Sequence, residues 1–470
     1  MLEVVRDLLK RQATEIEVQR ESDGAGVTAA LLATSSETAS AGPFSWLTGK
    51  NQQQQQQQQQ QPGGNPGFFP FFGGRGGSQG YRAAPNATTE SHKSELVDTP
   101  EALLITNPAL GTPTLSSRNI EATKAAIERY QAIVAQGGWP MVAAMPMKPG
   151  QRGPEIATLQ RRLEVSGDLV GRSMEGEYDA AVVAAVQKFQ TRHGLPATGV
   201  IDSKAMIQAL NVPAVIRLAQ LQASLKRLQG LAPGTAGRYV VVNIPAAQVE
   251  AVEGGEVISR HAAVVGKPER PTPEISSKIV EINFNPYWYV PKTIIYKDLV
   301  PKGRAFAARG QDVLASYRMQ AFDAAGNPLD PRQIDWNGSE VYNYQFRQLP
   351  WGENSLGFVK INFPNKDSVY MHDTPLKSLF GQAVRFESSG CVRVHNVEQI
   401  TAWILRDTPG WNYQRIVSMK QSGEQLDVKL AKPVPVYLAY ITGWGTPDGQ
   451  VHFGRDIYGV DGASTTASAY

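Results

Sequence analysis

His372 and Cys391 stand nineteen residues apart in a chain of 470 residues that has six histidines and a single cysteine. A thiol becomes a strong nucleophile when an imidazole removes its proton and nearby positive charge favours the thiolate. Arg393 follows Cys391 by two positions and supplies such a charge. Gly390, just before the cysteine, lets another backbone approach closely, and the amides of Gly390 and Cys391 are candidate donors to an oxyanion. A peptide carbonyl is the natural electrophile for this set. On the residues alone a plainer account also stands: a lone cysteine is among the most often buried residue types, Arg393 is then a surface charge and Asn396 a helix cap.

The elements that must position these groups are strands. In "VYMH" (369–372) the period of two puts Tyr370 and His372 on one face and Val369 and Met371 on the other. In "CVRV" (391–394) the same alternation buries Val392 and Val394 and turns Cys391 and Arg393 away from them. Asn396, with Gln399 three residues on and "VEQITAWILRD" after it, carries the signature of a helix N-terminus. "RYVVVNIP", "AQVEAVEGGEVISRHAAVVGK" about Gly254-Gly255, "SKIVEINF" and "GFVKINF" read as further strands. Many short strands with few long helices predict a mostly antiparallel sheet domain over 238–461. Residues of about 286–350, with Trp288, Trp336 and Trp351, interrupt it as an inserted lid.

Upstream the pattern is helical. In 99–147 the spacing of Ile120, Ala126, Ile127, Tyr130 and Val134 predicts a scaffold helix stopped at Gly137-Gly138. Over 148–212 three apolar stripes, Ile156/Leu159/Leu163, Val182/Val183/Val186/Phe189 and Ala205/Met206/Leu210, predict three small packed helices. Residues 213–237 read as a helical connector. Residues 1–98 hold ten consecutive glutamines and a Gly/Pro-rich run, and read as a disordered tether that cannot bury enough apolar surface to offset its ordering entropy. Within it "GAGVTAALLATSSETASAG" is a candidate export signal ending in Ala39-Ser40-Ala41, or simply an Ala/Ser segment. The net charge of +3 gives no case for nucleic acid, and one cysteine excludes an internal disulfide and a thiolate zinc site. No run of eighteen apolar residues supports a spanning helix.

"LQRRL", "AVQKFQTRHGLPATGVID" and "AL" resemble, in order and spacing, a peptidoglycan-binding domain of the three-helix type, which implies cell-wall glycan and stem peptide as ligand. "HDTP", the interval of nineteen, and "SSGCVRVHN" resemble the signature of the L,D-transpeptidases, cysteine enzymes of the bacterial cell wall. "VVVNIPA", "FNPYWYVPKTI" and "RQLPWGENSLGFVKINFPN" upstream, with "VKLAKPVPVYLAYITGW" and "GQVHFGRDIYGVD" downstream, resemble the large form of that family. The resemblance runs from about 100 to 461 and implies an α+β multidomain chain: a binding module, then a mostly antiparallel β catalytic domain with a capping insertion.

The resemblance also implies roles. Cys391 matches the acylated nucleophile and His372 its general base; Arg393 positions substrate and nucleophile, and Gly390 shapes the oxyanion hole. Ser388 matches the family's Ser or Thr, whereas Ser389 stands where a second histidine is commoner, with His395 as its conceivable substitute. Asp373 is expected to orient His372 through its side chain or its carbonyl, and Asn396 is counted with Gly390, Arg393, Ser388, Ser389 and Asp373 among the oxyanion and substrate-positioning residues. Trp288, Tyr370 and Trp351 are expected along the lid and groove. The implied reaction releases D-Ala from a stem tetrapeptide and forms a 3→3 cross-link, without metal or cofactor, in the periplasm. The same thioester chemistry would also serve attachment of an outer-membrane protein, exchange with a D-amino acid, or hydrolysis; a non-catalytic wall-binding protein is the remaining alternative.

Overall fold

A computed structural model describes residues 112–231, 237–382 and 384–461. The expectations placed on 1–98, the tether and the export segment, lie outside the described residues. The scaffold helix α1 runs over Arg118–Ala135 and buries Ala126, Tyr130 and Ile133, one turn-spaced stripe; Ile127 and Val134 of the expected stripe are only partly covered. Gly137 and Gly138 follow with φ 93° and 80°, left-handed values that stop a helix cheaply only at glycine.

The three helices of the small module are α2 (Pro154–Ser166), α3 (Ala180–Arg192) and α4 (Lys204–Asn211). Proline opens α2 where no intrahelical donor is needed, and left-handed Gly167 closes it. The Asp179 carboxylate accepts from the Val182 amide to cap α3, and Ser203 caps α4 through Met206 N–H. Ile156, Leu159, Leu163, Val182, Val186, Phe189, Met206 and Leu210 meet in one core, joined by Ala209 where the stripe had suggested Ala205.

This module is docked on the rest. Arg192 pairs with Asp168 at 2.5 Å and donates to the carbonyl of Val451 at 3.0 Å. His193 stacks between Phe189 and Phe453. Helix α5 (Ala214–Leu231) is the expected connector and packs with α1. No helix among the described residues is long and apolar enough to cross a membrane.

The β-rich domain holds β1 (Arg238–Asn243), β2 (Gln248–Glu253), β3 (Glu256–Gly266), β4 (Ile275–Phe284), β8 (Val359–Asn362), β9 (Met371–His372), β10 (Phe386–Ser388), β11 (Val392–Val394) and β12 (Leu426–Ala439). They form one sheet in the order β10-β3-β11-β9-β8-β4-β12-β1-β2, and β2 pairs back to β3, closing the ring. Six ladders are antiparallel, but β1–β12, β10–β3 and β11–β9 are parallel. Val359, Ile361, Met371, Val392 and Val394 fill the interior together with α6 (Val397–Leu405) and α7 (Tyr413–Ser422). A hairpin of β13 (Gly443–Gly445) and β14 (Val451–Phe453) lies against α1 and α5.

The insertion has its own core of Trp288, Leu299, Val300, Leu314, Trp336, Val341 and Phe346, under a three-stranded sheet β5-β7-β6 (Trp288–Tyr289, Gln345–Gln348, Met319–Phe322). That core reaches to Leu356, past the expected boundary near 350. The capping expectation for Asn396 fails: α6 begins at Val397, but Asn396 is left-handed (φ 49°) and its side chain caps nothing. The structure supports it only through its carbonyl, which accepts from Gln399 N–H.

Candidate active site

The parallel pairing of β11 with β9 sets Arg393 opposite His372 and Val392 opposite Met371. Val392 N–H donates to the carbonyl of Tyr370 at 3.1 Å, so Cys391, one residue before β11, lies beside Tyr370. Cys391 as a residue is half-buried. Hydrogen bonding from the Tyr370 hydroxyl and backbone favours the thiolate, and the Trp288 side chain of the insertion does the same for the Tyr370 oxygen. Burial pushes the thiol up from its ordinary value, against the Tyr370 bonds and the charges of Lys360 and Arg393. Burial also holds the Tyr370 hydroxyl well above its ordinary value, so it stays a donor.

His372 is 5% exposed and donates from Nδ1 to the carbonyl of Asp373 at 2.5 Å, which leaves Nε2 as the basic atom. Its ring meets Tyr370 edge-on with centroids 5.6 Å apart. Burial, then the charge of Arg393, lower the imidazole to about 3, so the ring is neutral near pH 7. The resting pair is therefore a neutral thiol and a neutral imidazole. Arg393 is buried, with Nε and Nη1 unpartnered, and is pushed down to about 10 by burial while staying cationic.

Asp373 thus orients the histidine with its carbonyl. Its carboxylate serves another purpose: it accepts from the Phe358 amide at 3.2 Å and pairs with Lys377. Gly390 adopts φ 112°, which only glycine takes without strain, but its N–H donates to Ser388 Oγ at 3.1 Å. That corrects the expectation that the Gly390 amide faces an oxyanion; it shapes the turn instead. Ser388 Oγ in turn donates to the carbonyl of Cys391 at 2.5 Å, tying the loop on both sides of the thiol.

Ser389 accepts from Arg270 at 2.9 Å, and the same guanidinium pairs with Asp298 of the insertion. The position where a histidine is commoner is thus part of a latch between the cysteine loop and the lid. His395 packs on Phe380 at 5.1 Å instead of replacing it. Asn396 is exposed. Tyr370 adjoins the thiol and Trp288, in the insertion core, acts on Tyr370, whereas Trp351 lies against the insertion core with its indole N–H unpartnered. Sequence reasoning missed Lys360, which is opposite His372 in the β8–β9 register and 4.6 Å above the Tyr370 ring. Alternation in "GFVKINF" marks it as facing away from Val359 and Ile361, but not which strand adjoins it.

Residues 237–417 match the family model of the L,D-transpeptidase catalytic domain, with this cysteine and histidine inside it. Over these residues the chain is similar to L,D-transpeptidase catalytic domains. Residues 152–208, helices α2 to α4, match the model described as "Putative peptidoglycan binding domain". A curated protein of Haemophilus influenzae named "Putative L,D-transpeptidase" is 33% identical over 223 residues, which are 47% of this chain and 44% of that protein. The chain therefore spans less than half the length of that relative. Solved L,D-transpeptidases from Stackebrandtia nassauensis (16% identity, 65% of this chain and 100% of that one, TM-score 0.25) and Xylanimonas cellulosilytica (18%, 63% and 98%, TM-score 0.21) are also similar.

Proposed function

We propose that this L,D-transpeptidase domain uses Cys391 to form 3→3 cross-links between peptidoglycan stem peptides outside the cytoplasm. The observation that carries the reading is the parallel β9–β11 pairing, which sets half-buried Cys391 at the start of the strand beside His372, whose Nδ1 is held by the Asp373 carbonyl, with Lys360 and Arg393 adding positive charge. Sγ attacks the carbonyl carbon between the L-centre of diaminopimelate and D-Ala, and the thiol proton passes to His372 Nε2. Tyr370 stabilises the sulfur as charge develops. The C–N bond then breaks, D-Ala leaves with the proton from His372, and a thioester remains on Cys391. The side-chain amine of a second stem attacks that thioester, gives its proton to His372, and the thiol is regenerated.

The insertion supports this order of events because Trp288 reaches the Tyr370 hydroxyl and the Arg270–Asp298 pair closes the lid over the cysteine loop. A covered site limits hydrolysis of the thioester. The helical module supports peptidoglycan as the polymer on which the chain works. The test is Cys391→Ser on purified sacculi, with muropeptides read by mass spectrometry. The native chain should add 3→3 dimers and release D-Ala, and the variant should do neither while still binding sacculi. A serine variant that still cross-links would sink the proposal.

A further inference from the structure

On the outer face of the sheet one row of side chains runs from strand to strand: Asp427 on β12, Asn283 on β4, Lys360 on β8, His372 on β9 and Arg393 on β11, each directly opposite the next. Val359 and Ile361 point to the interior, so Lys360 between them shares the face of the imidazole. Residues opposed in an antiparallel pair hold their Cβ atoms about 4.5–5.5 Å apart, which makes Lys360 an immediate neighbour of the base. Its ammonium lies 4.6 Å from the centre of the Tyr370 ring, and Tyr370 adjoins the thiol.

The members of this row are not equally paired. Asn283 donates to Asp427 at 2.6 Å and to Glu281 at 3.0 Å, and buried Arg393 has the charge of Glu387 beside it. Lys360 is half-buried, yet among the described residues its Nζ makes no hydrogen bond and no ion pair; Glu281 and Asp427 act on it only from a distance. Burial penalises such a cation, and an arriving anion offsets that cost.

We propose that Lys360 is a specificity-determining residue that holds the free carboxylate of the donor's terminal D-Ala. The inference rests on the acyl-transfer reading and deepens it by placing the leaving group. When the C–N bond breaks, the D-Ala nitrogen takes its proton from His372, so that nitrogen lies at the imidazole. The carboxylate carbon is two bonds further on, about 3 Å of chain, and the group stays anionic throughout. A cation one strand away from the imidazole is at that range, and the flexible four-carbon stem of lysine adjusts the remaining distance. The consequence is selection of the final peptide bond of a stem, because a longer or amidated terminus brings no carboxylate to Lys360.

The test compares two tetrapeptide donors on the full chain, one ending in D-Ala and one in D-Ala amide, by the kcat/KM of leaving-group release. Intrinsic differences between the two leaving groups are common to every variant and cancel when their ratios are compared. Lys360→Met should lower the acid-to-amide ratio tenfold or more, and Lys360→Arg should keep it within threefold of native. A smaller fall in Lys360→Met overturns the proposal: a lysine that acts only on the thiol slows both donors together and leaves the ratio unchanged. An equal fall in Lys360→Arg also overturns it, since the position is then structural. If Lys360→Met melts below the native chain, Lys360→Gln is read in its place against the same thresholds. No D-Ala release from the acid by the native chain would instead refute the acyl-transfer reading, and this inference with it.

Discussion

Tyr370→Phe tests the thiol environment most directly. The substitution keeps the ring that meets His372 and the backbone amide that donates to the sulfur, and removes only the hydroxyl. A hydrogen bond to a charged group contributes about 1.5–3 kcal/mol. The neutral thiol gains far less from the same donor, so nearly all of that energy appears as thiolate stabilisation. At about 1.4 kcal/mol per factor of ten, the acylation rate should fall roughly 10- to 100-fold, and the thiol should rise further above its ordinary value. The Trp288 indole N–H loses its acceptor in the same variant, which makes Trp288→Phe the proper companion: it removes the donor that fixes the hydroxyl without removing the hydroxyl. The assay is the rate of Cys391 alkylation by iodoacetamide against pH, beside D-Ala release from a tetrapeptide. Alkylation and D-Ala release both within twofold of native in Tyr370→Phe would refute the assignment of Tyr370 as the main donor to the sulfur.

Three further outcomes follow from the same structure. Burial keeps His193 and His372 neutral when folded, and likewise His261 and His452, with the last two held to about 4 and His372 to about 3; all would take protons near 6.5 when unfolded. The unfolded chain thus binds more protons below pH 6.5, and stability should be full above that value and fall towards pH 4 by up to about 1.4 kcal/mol per unit for each ring; a melting temperature unchanged from pH 8 to 4.5 would contradict it. Gly357→Ala places a Cβ 2.2 Å from Asp373 Oδ2 at a residue with φ 59°, and should destabilise by about 2–5 kcal/mol while slowing acylation, because the residue that holds His372 must shift; calorimetry and D-Ala release check both effects. Asp168→Ala leaves Arg192 buried without its carboxylate beside Arg162, and should cost about 3–5 kcal/mol in urea unfolding, with less than 1 kcal/mol counting against a buried pair.

The sequence by itself determined the local units. Apolar stripes fixed the three helices of the module, Gly254-Gly255 fixed the β2–β3 turn, and alternation put Tyr370 with His372 and Val392 with Val394, because each signal is carried by residues a few positions apart. The interval from His372 to Cys391 and the flanking Gly390 and Arg393 were legible as chemistry for the same reason. Tertiary structure decided what those units meet. Only the parallel β9–β11 pairing brings the strands of His372 and Cys391 together, since a ladder between segments separated by a crossover leaves no mark in either one. Lys360, Trp288 and Arg270 come to the thiol's surroundings from separate parts of the chain, and no periodicity reports such distances. The Asn396 cap and the Gly390 amide were misjudged alike, because composition names possible partners while backbone geometry selects among them: Ser388 reached the glycine amide first, and a left-handed Asn396 carries its side chain away from the helix start.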